Sequence, residues 1–225
     1  MELQQILTEL KSMSNPDAVA GMARYGINPK HTYGITIPQL LALARKIGIN
    51  HQLADALWQS GIRDARILAC MTDDPQDVTE TQLEKWVQAF DSWDLCDQCC
   101  NRLFQATKFA FQKAVEWAGR NEEFVKRAGF VLMCQIAVHH KKIDDGQFET
   151  FLALIKREAT DERNFVLKAV NWALRQIGKR NLTLNKRAIA IAEEIRQLDS
   201  KAARWIAADA LRELTSEKIQ RRLEG

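Results

Sequence analysis

The sequence predicts an all-α protein, and two observations support that prediction: the placement of proline and the spacing of apolar residues. Only four prolines occur in 225 residues, and none lies in the 150 positions 76–225. Hairpins and tight turns depend on proline and glycine, so this stretch favours helices joined by short polar connections. In residues 2–13, apolar side chains recur at i, i+3, i+4 and i+7 from Leu3, which is the pattern of one helical face.

Proline and glycine also mark where individual helices begin and end. Pro16 and Pro38 each stand near the start of a predicted helix, where the missing N–H costs nothing. Gly48 ends the second of these as a C-cap glycine. Residues 26–38 hold two glycines and two prolines and form the predicted ordered loop. Further helices are predicted near residues 50–59, 63–71, 79–90, 93–106, 108–118, 121–139, 144–158, 161–178, 183–196 and 199–213.

Three of these helices repeat a theme: FVKRAGFVLMCQIAV (124–138), FVLKAVNWALRQIGK (165–179) and KAARWIAADALREL (201–214). Equivalent positions are 41 residues apart between the first two and 33 apart between the last two. This spacing approximates the two-helix HEAT repeat of roughly 40–47 residues. Stacked helix pairs form a solenoid with a concave face, and a compact helical bundle is the alternative. We therefore predict one HEAT-like repeat domain over residues 1–225, an α-α superhelix with a concave basic groove.

Apolar runs, the N-terminal segment and the cysteine count together indicate the cellular location of the protein. No apolar run approaches the length of about 20 residues that a membrane-spanning helix needs, and the N-terminal segment MELQQILTELK lacks the features of a secretory signal. The five cysteines are an odd number, which makes a disulfide framework improbable. These observations predict a cytoplasmic protein with no membrane partner.

Charge is distributed unevenly along the chain. Residues 1–100 carry 8 Lys and Arg against 13 Asp and Glu, a net charge of −5, whereas residues 101–225 carry 24 against 16, a net charge of +8. A basic half favours a polyanionic partner, above all nucleic acid. Lysine and arginine are also ordinary residues on exposed helical faces, so charge alone leaves both interpretations open.

The stretch FDSWDLCDQCCNRLF (90–104) concentrates unusual residues on one helix. Cys96, Cys99 and Cys100 follow its apolar seam, and cysteine behaves as a small buried hydrophobe. A zinc site requires a second Cys pair or added histidines, and a thiol nucleophile requires a cationic or dipolar neighbour. Neither requirement is met nearby in the sequence. We expect these cysteines to pack and predict no metal site.

Trp93 and Asp97 share a face of this helix because they stand at i and i+4. An aspartate in an apolar helix costs free energy unless it is paired or exposed. One interpretation is a salt bridge to a basic residue of the adjoining repeat. The other is a carboxylate that faces the concave surface beside an aromatic wall.

The chain resembles the AlkD family of DNA alkylation repair glycosylases, which are built from HEAT-like repeats, over most of its length. Trp93, Asp94 and Asp97 match the family's W-D-x-x-D helix position for position. Arg127 matches an arginine that precedes alanine on a repeat helix, and residues 168–175 match the motif K-A-x-x-W-x-L-R.

The resemblance implies that the protein excises N3- or N7-alkylated purines from duplex DNA in base excision repair, without flipping the base into a pocket. It implies catalytic roles for Asp97, Trp93 and Trp172, with Asp94 in a supporting or capping role. No metal and no organic cofactor is required, and we expect a monomer. The implied DNA contacts are Arg127, Arg175, Lys168, Lys179 and Arg180.

The chemistry of such a reaction is compatible with these residues. An alkylated purine is cationic and leaves readily, and cleavage gives the sugar oxocarbenium character, which carboxylates stabilise in glycoside hydrolases. Asp97 would stabilise that cation or position the attacking water. The faces of Trp93 and Trp172 would favour a cationic sugar and base.

The chain departs from the family pattern at two positions. Some members carry glutamine where this chain has Thr36, and others a second tryptophan where it has Ser92. Both departures concern lesion contacts. Trp205, on the last repeat, is expected to be structural.

Two rival functions remain open. One is a non-catalytic module that binds distorted or branched DNA and has no need of Asp97. The other is a protein-interaction scaffold.

Overall fold

The all-α prediction is confirmed by the computed structural model, which describes residues 1–224 and contains no strand within them. Two short 3-10 helices, Ala23–Tyr25 and Phe104–Ala106, accompany the α-helices. The α-helices in chain order are α1 (Leu3–Ser12), α2 (Pro16–Met22), α3 (Ile37–Ile47), α4 (His51–Gln59), α5 (Arg63–Thr72), α6 (Glu80–Gln88), α7 (Trp93–Arg102), α8 (Ala110–Ala118), α9 (Glu123–His139), α10 (Gln147–Arg157), α11 (Asn164–Gly178), α12 (Leu182–Arg196), α13 (Lys201–Leu214) and α14 (Glu217–Glu224).

Most helix boundaries lie within a few residues of those predicted, because caps and prolines are local signals. Asn50, Thr79 and Ser200 each accept a hydrogen bond from a backbone N–H in the first turn of their helix, as N-cap side chains do. Two differences stand out. The helix predicted over 93–106 stops at Arg102 and is followed by a 3-10 turn, and α14 was not among the predicted helices.

The chain divides into two compact units, Met1–Phe109 and a second that begins at Ala110. In the first unit α5 is central and packs against α1, α3, α4 and α7. Trp58 of α4 and Trp86 of α6 form an aromatic contact in this unit, and their rings stack with centroids 4.1 Å apart. The prediction of a single domain with a concave groove stays a prediction.

The second unit is a stack of helix pairs. Helices α8 and α9 pack together, as do α10 with α11 and α12 with α13. The second helices of the pairs, α9, α11 and α13, also pack in sequence, and the first helices, α8, α10 and α12, contact one another along the other layer. This two-layer arrangement of successive pairs is that of HEAT-type repeats.

Side-chain contacts show the repeat length directly. Several of them join residues 38 positions apart, including Arg127 with Phe165, Asn171 with Asp209 and Lys156 with Glu194. A recurrent separation of this kind is expected where successive repeats stack on each other. The value lies between the 33 and 41 residues in the sequence.

The cysteine prediction is partly wrong. Cys70 of α5 and Cys99 of α7 form a disulfide, with Cα atoms 5.3 Å apart. The sequence offered no signal for this pair, because the two residues meet only when α5 packs on α7. Cys96 and Cys100 lie outside the disulfide and are buried, as predicted, and Cys134 is buried as well. In residues 1–224 no helix combines the length and apolarity needed to cross a bilayer.

The approach of α9 to α8 depends on a glycine. A Cβ atom at Gly129 would lie 2.9 Å from the Cα of Ala118 and from the carbonyl carbon of Trp117. These are backbone atoms, so relief requires the two helices to move apart. By contrast, a Cβ at Gly21 on α2 would meet nothing within 4 Å.

We expect Gly129→Ala to lower the free energy of unfolding by about 1–3 kcal/mol, the usual cost of overpacking a core. Gly21→Ala is the matched control and is expected to be neutral or to stabilise by up to about 1 kcal/mol, because alanine has the higher helix propensity. Urea unfolding followed by circular dichroism measures both. Equal effects of the two substitutions would contradict the close approach.

Candidate nucleic-acid interface

Helix α7 carries two of the predicted catalytic residues. Its first residue, Trp93, is partly exposed, and its indole Nε1 donates a hydrogen bond to the backbone carbonyl of Tyr25 at 2.8 Å. Asp97 follows one turn later on the same face and is also partly exposed. The structure therefore brings these two together as predicted, with the indole orientation set by the N-terminal segment.

Asp94, in the first turn of α7, is held by an arginine from α5. Arg63 donates from Nε to Oδ2 of Asp94 at 2.7 Å, and its Nη2 contacts the same oxygen. The side chains are only 10% and 9% exposed. Arg63 also donates from Nη1 to Asp64 at 3.2 Å, so one guanidinium joins two carboxylates. The supporting or capping role of Asp94 stays a prediction, and its observed partner is Arg63.

Asp64 organises the loop before α3. Its buried carboxylate accepts hydrogen bonds from the backbone N–H of Tyr33 at 2.6 Å, the N–H of Ile35 at 3.1 Å and the hydroxyl of Thr32 at 2.8 Å. Buried carboxylates require such partners. The pair Arg63–Asp64 therefore links the loop to the start of α7.

The two departures from the family pattern have structural roles here. Thr36 is exposed and begins α3, where its hydroxyl contacts Oε1 of Gln39 at 2.6 Å and its backbone N–H donates to the same oxygen at 3.1 Å. Ser92 is fully buried just before α7. A larger side chain at Ser92 would have to displace its surroundings.

In the second unit, Arg127 of α9 is buried, with 5% of its surface exposed. Its Nη1 donates to the backbone carbonyl of Phe165 in the first turn of α11 at 2.6 Å. The rings of Phe124 and Phe165 meet at the same junction, with centroids 5.5 Å apart. Arg127 therefore joins two successive repeats as well as supplying a positive charge.

Helix α11 carries three of the predicted residues on one side, at i, i+4 and i+7: Lys168, Trp172 and Arg175. A fourth, Lys179, is the C-cap residue of this helix. Arg175 and Lys179 both pair with Glu213 of α13, Lys179 at 2.6 Å. Burial by itself raises the pKa of Glu213, but the hydrogen bond from Lys179 and the nearby charge of Arg175 outweigh it and hold that pKa below its ordinary value. Glu213 is therefore ionised at neutral pH and offsets these charges.

Arg180 serves as a cap for α9. Its guanidinium donates to the carbonyls of Ala137, His140, Lys141 and Ile143 at 2.8–3.1 Å. Orphan carbonyls at a helix end are commonly satisfied by such a basic side chain. The predicted phosphate contact of Arg180 stays a prediction, and its observed partners are these backbone oxygens and the carboxylate of Asp145, whose Oδ1 lies 3.7 Å from Nε.

Lys168 differs from the other predicted DNA contacts. It is exposed, and no ion pair joins it to any residue in 1–224. It lies at the edge of an open groove of about 490 Å³ between α11 and α13, together with Lys201 and Trp205. Trp205, expected to be structural, is 44% exposed.

Comparison with known proteins identifies the family. The sequence profile described as "DNA alkylation repair enzyme" matches residues 6–214. The chain belongs to this family. Two uncharacterized proteins are similar over 195 residues, 85% of each chain: Lin0241 of Listeria innocua serovar 6a at 25% identity and Lmo0209 of Listeria monocytogenes serovar 1/2a at 24%.

The fold is also that of a solved structure. The described chain superposes on it with a TM-score of 0.79 over 95% of both chains, at 18% identity. That protein represents "a new family of proteins related to the HEAT-like repeat DNA glycosylases with affinity for branched DNA structures". The HEAT-like repeat fold and the resemblance to the AlkD family are thereby confirmed.

Within this DNA alkylation repair family member, sequence reasoning missed Tyr25, Arg63 and Asp64, which support the W-D-x-x-D helix. The sequence feature that could have indicated Arg63 and Asp64 is their position as a charged pair at the start of a predicted helix, before a mostly apolar run. No group of three or more His, Cys, Asp or Glu side chains in the described range 1–224 is arranged to hold a metal ion.

Removal of Arg63 would leave Asp94 and Asp64 without their shared cation. Breaking a buried ion pair from one side costs about 3–5 kcal/mol, so Arg63→Gln is expected to lower the free energy of unfolding by an amount in that range. Arg102→Gln, at the exposed end of α7, is the matched control and is expected to change it by less than about 0.5 kcal/mol. Urea denaturation measures both, and a double variant with Asp94→Asn that costs the full sum of the single variants would show that the pair is not coupled.

Proposed function

We propose that this protein is a monofunctional DNA glycosylase that hydrolyses the N-glycosidic bond of cationic N3- or N7-alkylated purines in duplex DNA, without flipping the base into a pocket. The observation that carries the proposal is the pairing of Trp93 and Asp97 on one partly exposed face of α7, in a member of the DNA alkylation repair family. The helix that bears them is anchored at its first turn by Arg63 and Tyr25. Preorganisation of this kind is what electrostatic catalysis requires.

The proposed reaction uses the charge of the lesion. The bond between N9 of the alkylated purine and C1′ breaks with its electron pair on the base, which leaves as a neutral molecule. The sugar becomes oxocarbenium-like, and water adds to C1′ and releases a proton to solvent. The carboxylate of Asp97 stabilises the sugar cation and positions the water, as carboxylates do in glycoside hydrolysis.

The tryptophans supply the aromatic surface in this proposal. A cation over an indole face is stabilised by about 0.5–2 kcal/mol, more when water is excluded. The hydrogen bond from Trp93 to the Tyr25 carbonyl holds the indole by its edge and leaves the ring faces to interact with a ligand. Trp172, on α11, is proposed to present a second indole face.

DNA binding in this proposal rests on the basic residues of the second unit. Lys168 contacts phosphate directly, since it is exposed. Arg175 and Lys179 exchange Glu213 for phosphate when DNA is present, whereas Arg127 and Arg180, held by backbone carbonyls, act by their charge. Phosphate contacts release counterions, so binding is expected to weaken steeply with salt.

A second candidate is DNA binding without chemistry. The buried Ser92 and the capping role of Thr36 favour it, because other family members place lesion-contacting side chains at these positions. The structural relative with affinity for branched DNA points the same way. This candidate needs the basic residues of the second unit but not Asp97.

Substitution of Asp97 separates the two candidates. We expect Asp97→Asn to slow release of 7-methylguanine and 3-methyladenine from methylated duplex DNA by about 100-fold or more, the scale of losing a preorganised electrostatic group, while DNA affinity changes less than about twofold. Asp91→Asn, just before α7, is the matched control with rates near wild type. Chromatography of the released bases gives the rate. Salt-sensitive DNA binding with no release by the wild type would instead support the non-catalytic candidate.

The charge of the lesion is expected to govern the rate. Release of 7-methylguanine, which is cationic in DNA, should exceed release of neutral hypoxanthine by about 100-fold or more under single-turnover conditions, because Asp97 and the indole faces stabilise positive charge. Duplexes that differ only in the one modified base provide the comparison. Comparable rates on the two substrates would refute discrimination by charge.

A further inference from the structure

The motif K-A-x-x-W occurs twice in the second unit. Residues 168–172 read KAVNW on α11, and residues 201–205 read KAARW on α13. In each copy the lysine and the tryptophan are four residues apart and share a face of their helix, while the alanine after the lysine is buried. Because α11 and α13 pack directly on each other, the two copies belong to adjacent helices of one layer.

The second copy borders a groove. Lys168, Lys201 and Trp205 line a space of about 490 Å³ whose floor includes Leu167 and Ala202. This volume lies in the range of small-ligand sites, roughly 300–1,000 Å³. Two further wall residues are polar, Glu162 and Asn164.

The lysines of this groove are available to an anion. Both are exposed, and neither takes part in an ion pair within residues 1–224. By contrast, Arg175 of α11 and Lys179, the C-cap residue of that helix, share the carboxylate of Glu213. Glu162 is the one acidic residue in the wall, so the groove has a net positive charge.

Trp205 is the aromatic part of the groove. It is 44% exposed, although tryptophan is highly buried on average in folded proteins. An exposed indole between two lysines combines a stacking platform with cations for a backbone, which are the two components of single-stranded nucleic-acid sites. In a duplex each base face is covered by its neighbours, so an indole stacks only on an unpaired base.

We propose that this groove binds an unpaired segment of DNA, with phosphates at Lys168 and Lys201 and a base stacked on Trp205. The inference rests on the proposed DNA-binding function and adds to it a site for single-stranded DNA beside a lesion or at a branch. It does not involve Asp97, so the two proposals are tested separately.

The test is fluorescence anisotropy of a labelled oligothymidylate, which forms no duplex, and of a hairpin duplex of matched phosphate number. We expect Trp205→Ala to weaken binding of the oligothymidylate about tenfold, within the range found for loss of one stacked base, and duplex binding less than twofold. Trp205→Phe keeps a ring and is expected to restore most of the affinity. Thermal unfolding of each variant verifies that it is folded.

Charge is tested with Lys168→Gln/Lys201→Gln. The slope of log K against log salt for the oligothymidylate is expected to fall by about 1.4, which is about 0.7 for each phosphate contact on a single strand. Lys156→Gln is the control, because Lys156 is a partly exposed lysine of the same unit that is paired with Glu194. Its slope should equal that of the wild type.

The outcomes are distinguishable. Equal oligothymidylate affinity of Trp205→Ala and wild type, with base release by the wild type intact, overturns the groove proposal alone. A Trp205-dependent affinity with no base release overturns the glycosylase proposal alone. Preference for an oligoribonucleotide of the same length over the oligothymidylate would overturn the assignment to DNA.

Discussion

The buried contact of Arg63 with Asp64 and Asp94 is the interaction on which the first unit's candidate site depends. One guanidinium joins a carboxylate that holds the loop before α3 to a carboxylate in the first turn of α7. Since Asp97 lies one turn beyond Trp93 on α7, the position of its carboxylate is set by whatever holds that first turn. Breaking this contact would leave buried charges unpaired at a cost in free energy, which favours the observed position of the first turn. A network of this kind is a reason to regard α7 as preorganised.

The second unit uses its charges differently. Many of its basic side chains join successive repeats, as Arg127 does to Phe165 and Arg175 does to Glu213. A count of lysines and arginines in the sequence therefore overestimates the number of cations that are available to bind a phosphate. The available cations are those left without a carboxylate partner, and Lys168 and Lys201 are two of them. The electrostatic attraction of DNA depends on these unpaired cations, since the field of a paired cation is largely cancelled by that of its carboxylate and screened by salt.

Repetition connects the fold to the proposed sites. Stacking places the helices of neighbouring repeats side by side, and several contacts between them join residues 38 positions apart. A motif that occurs in two successive second helices is thereby duplicated on one surface, as K-A-x-x-W is on α11 and α13. A repeat protein thus extends a binding surface by copying a helix, without a new loop or pocket.

The sequence by itself determined the helical class, most helix boundaries, the repeat theme and the pairing of Trp93 with Asp97. These follow from proline placement, cap residues and helical periodicity, all of which act within a few residues along the chain. Only the tertiary structure decided which charges are paired and which cysteines meet, because those partners are far apart in sequence: Cys70 with Cys99, Arg63 with Asp94, and Arg175 with Glu213. Trp205 shows the same limit, since its helical pattern is that of a core residue and its exposure follows from what packs beside α13. Local pattern sets the element, whereas packing sets the environment of each side chain.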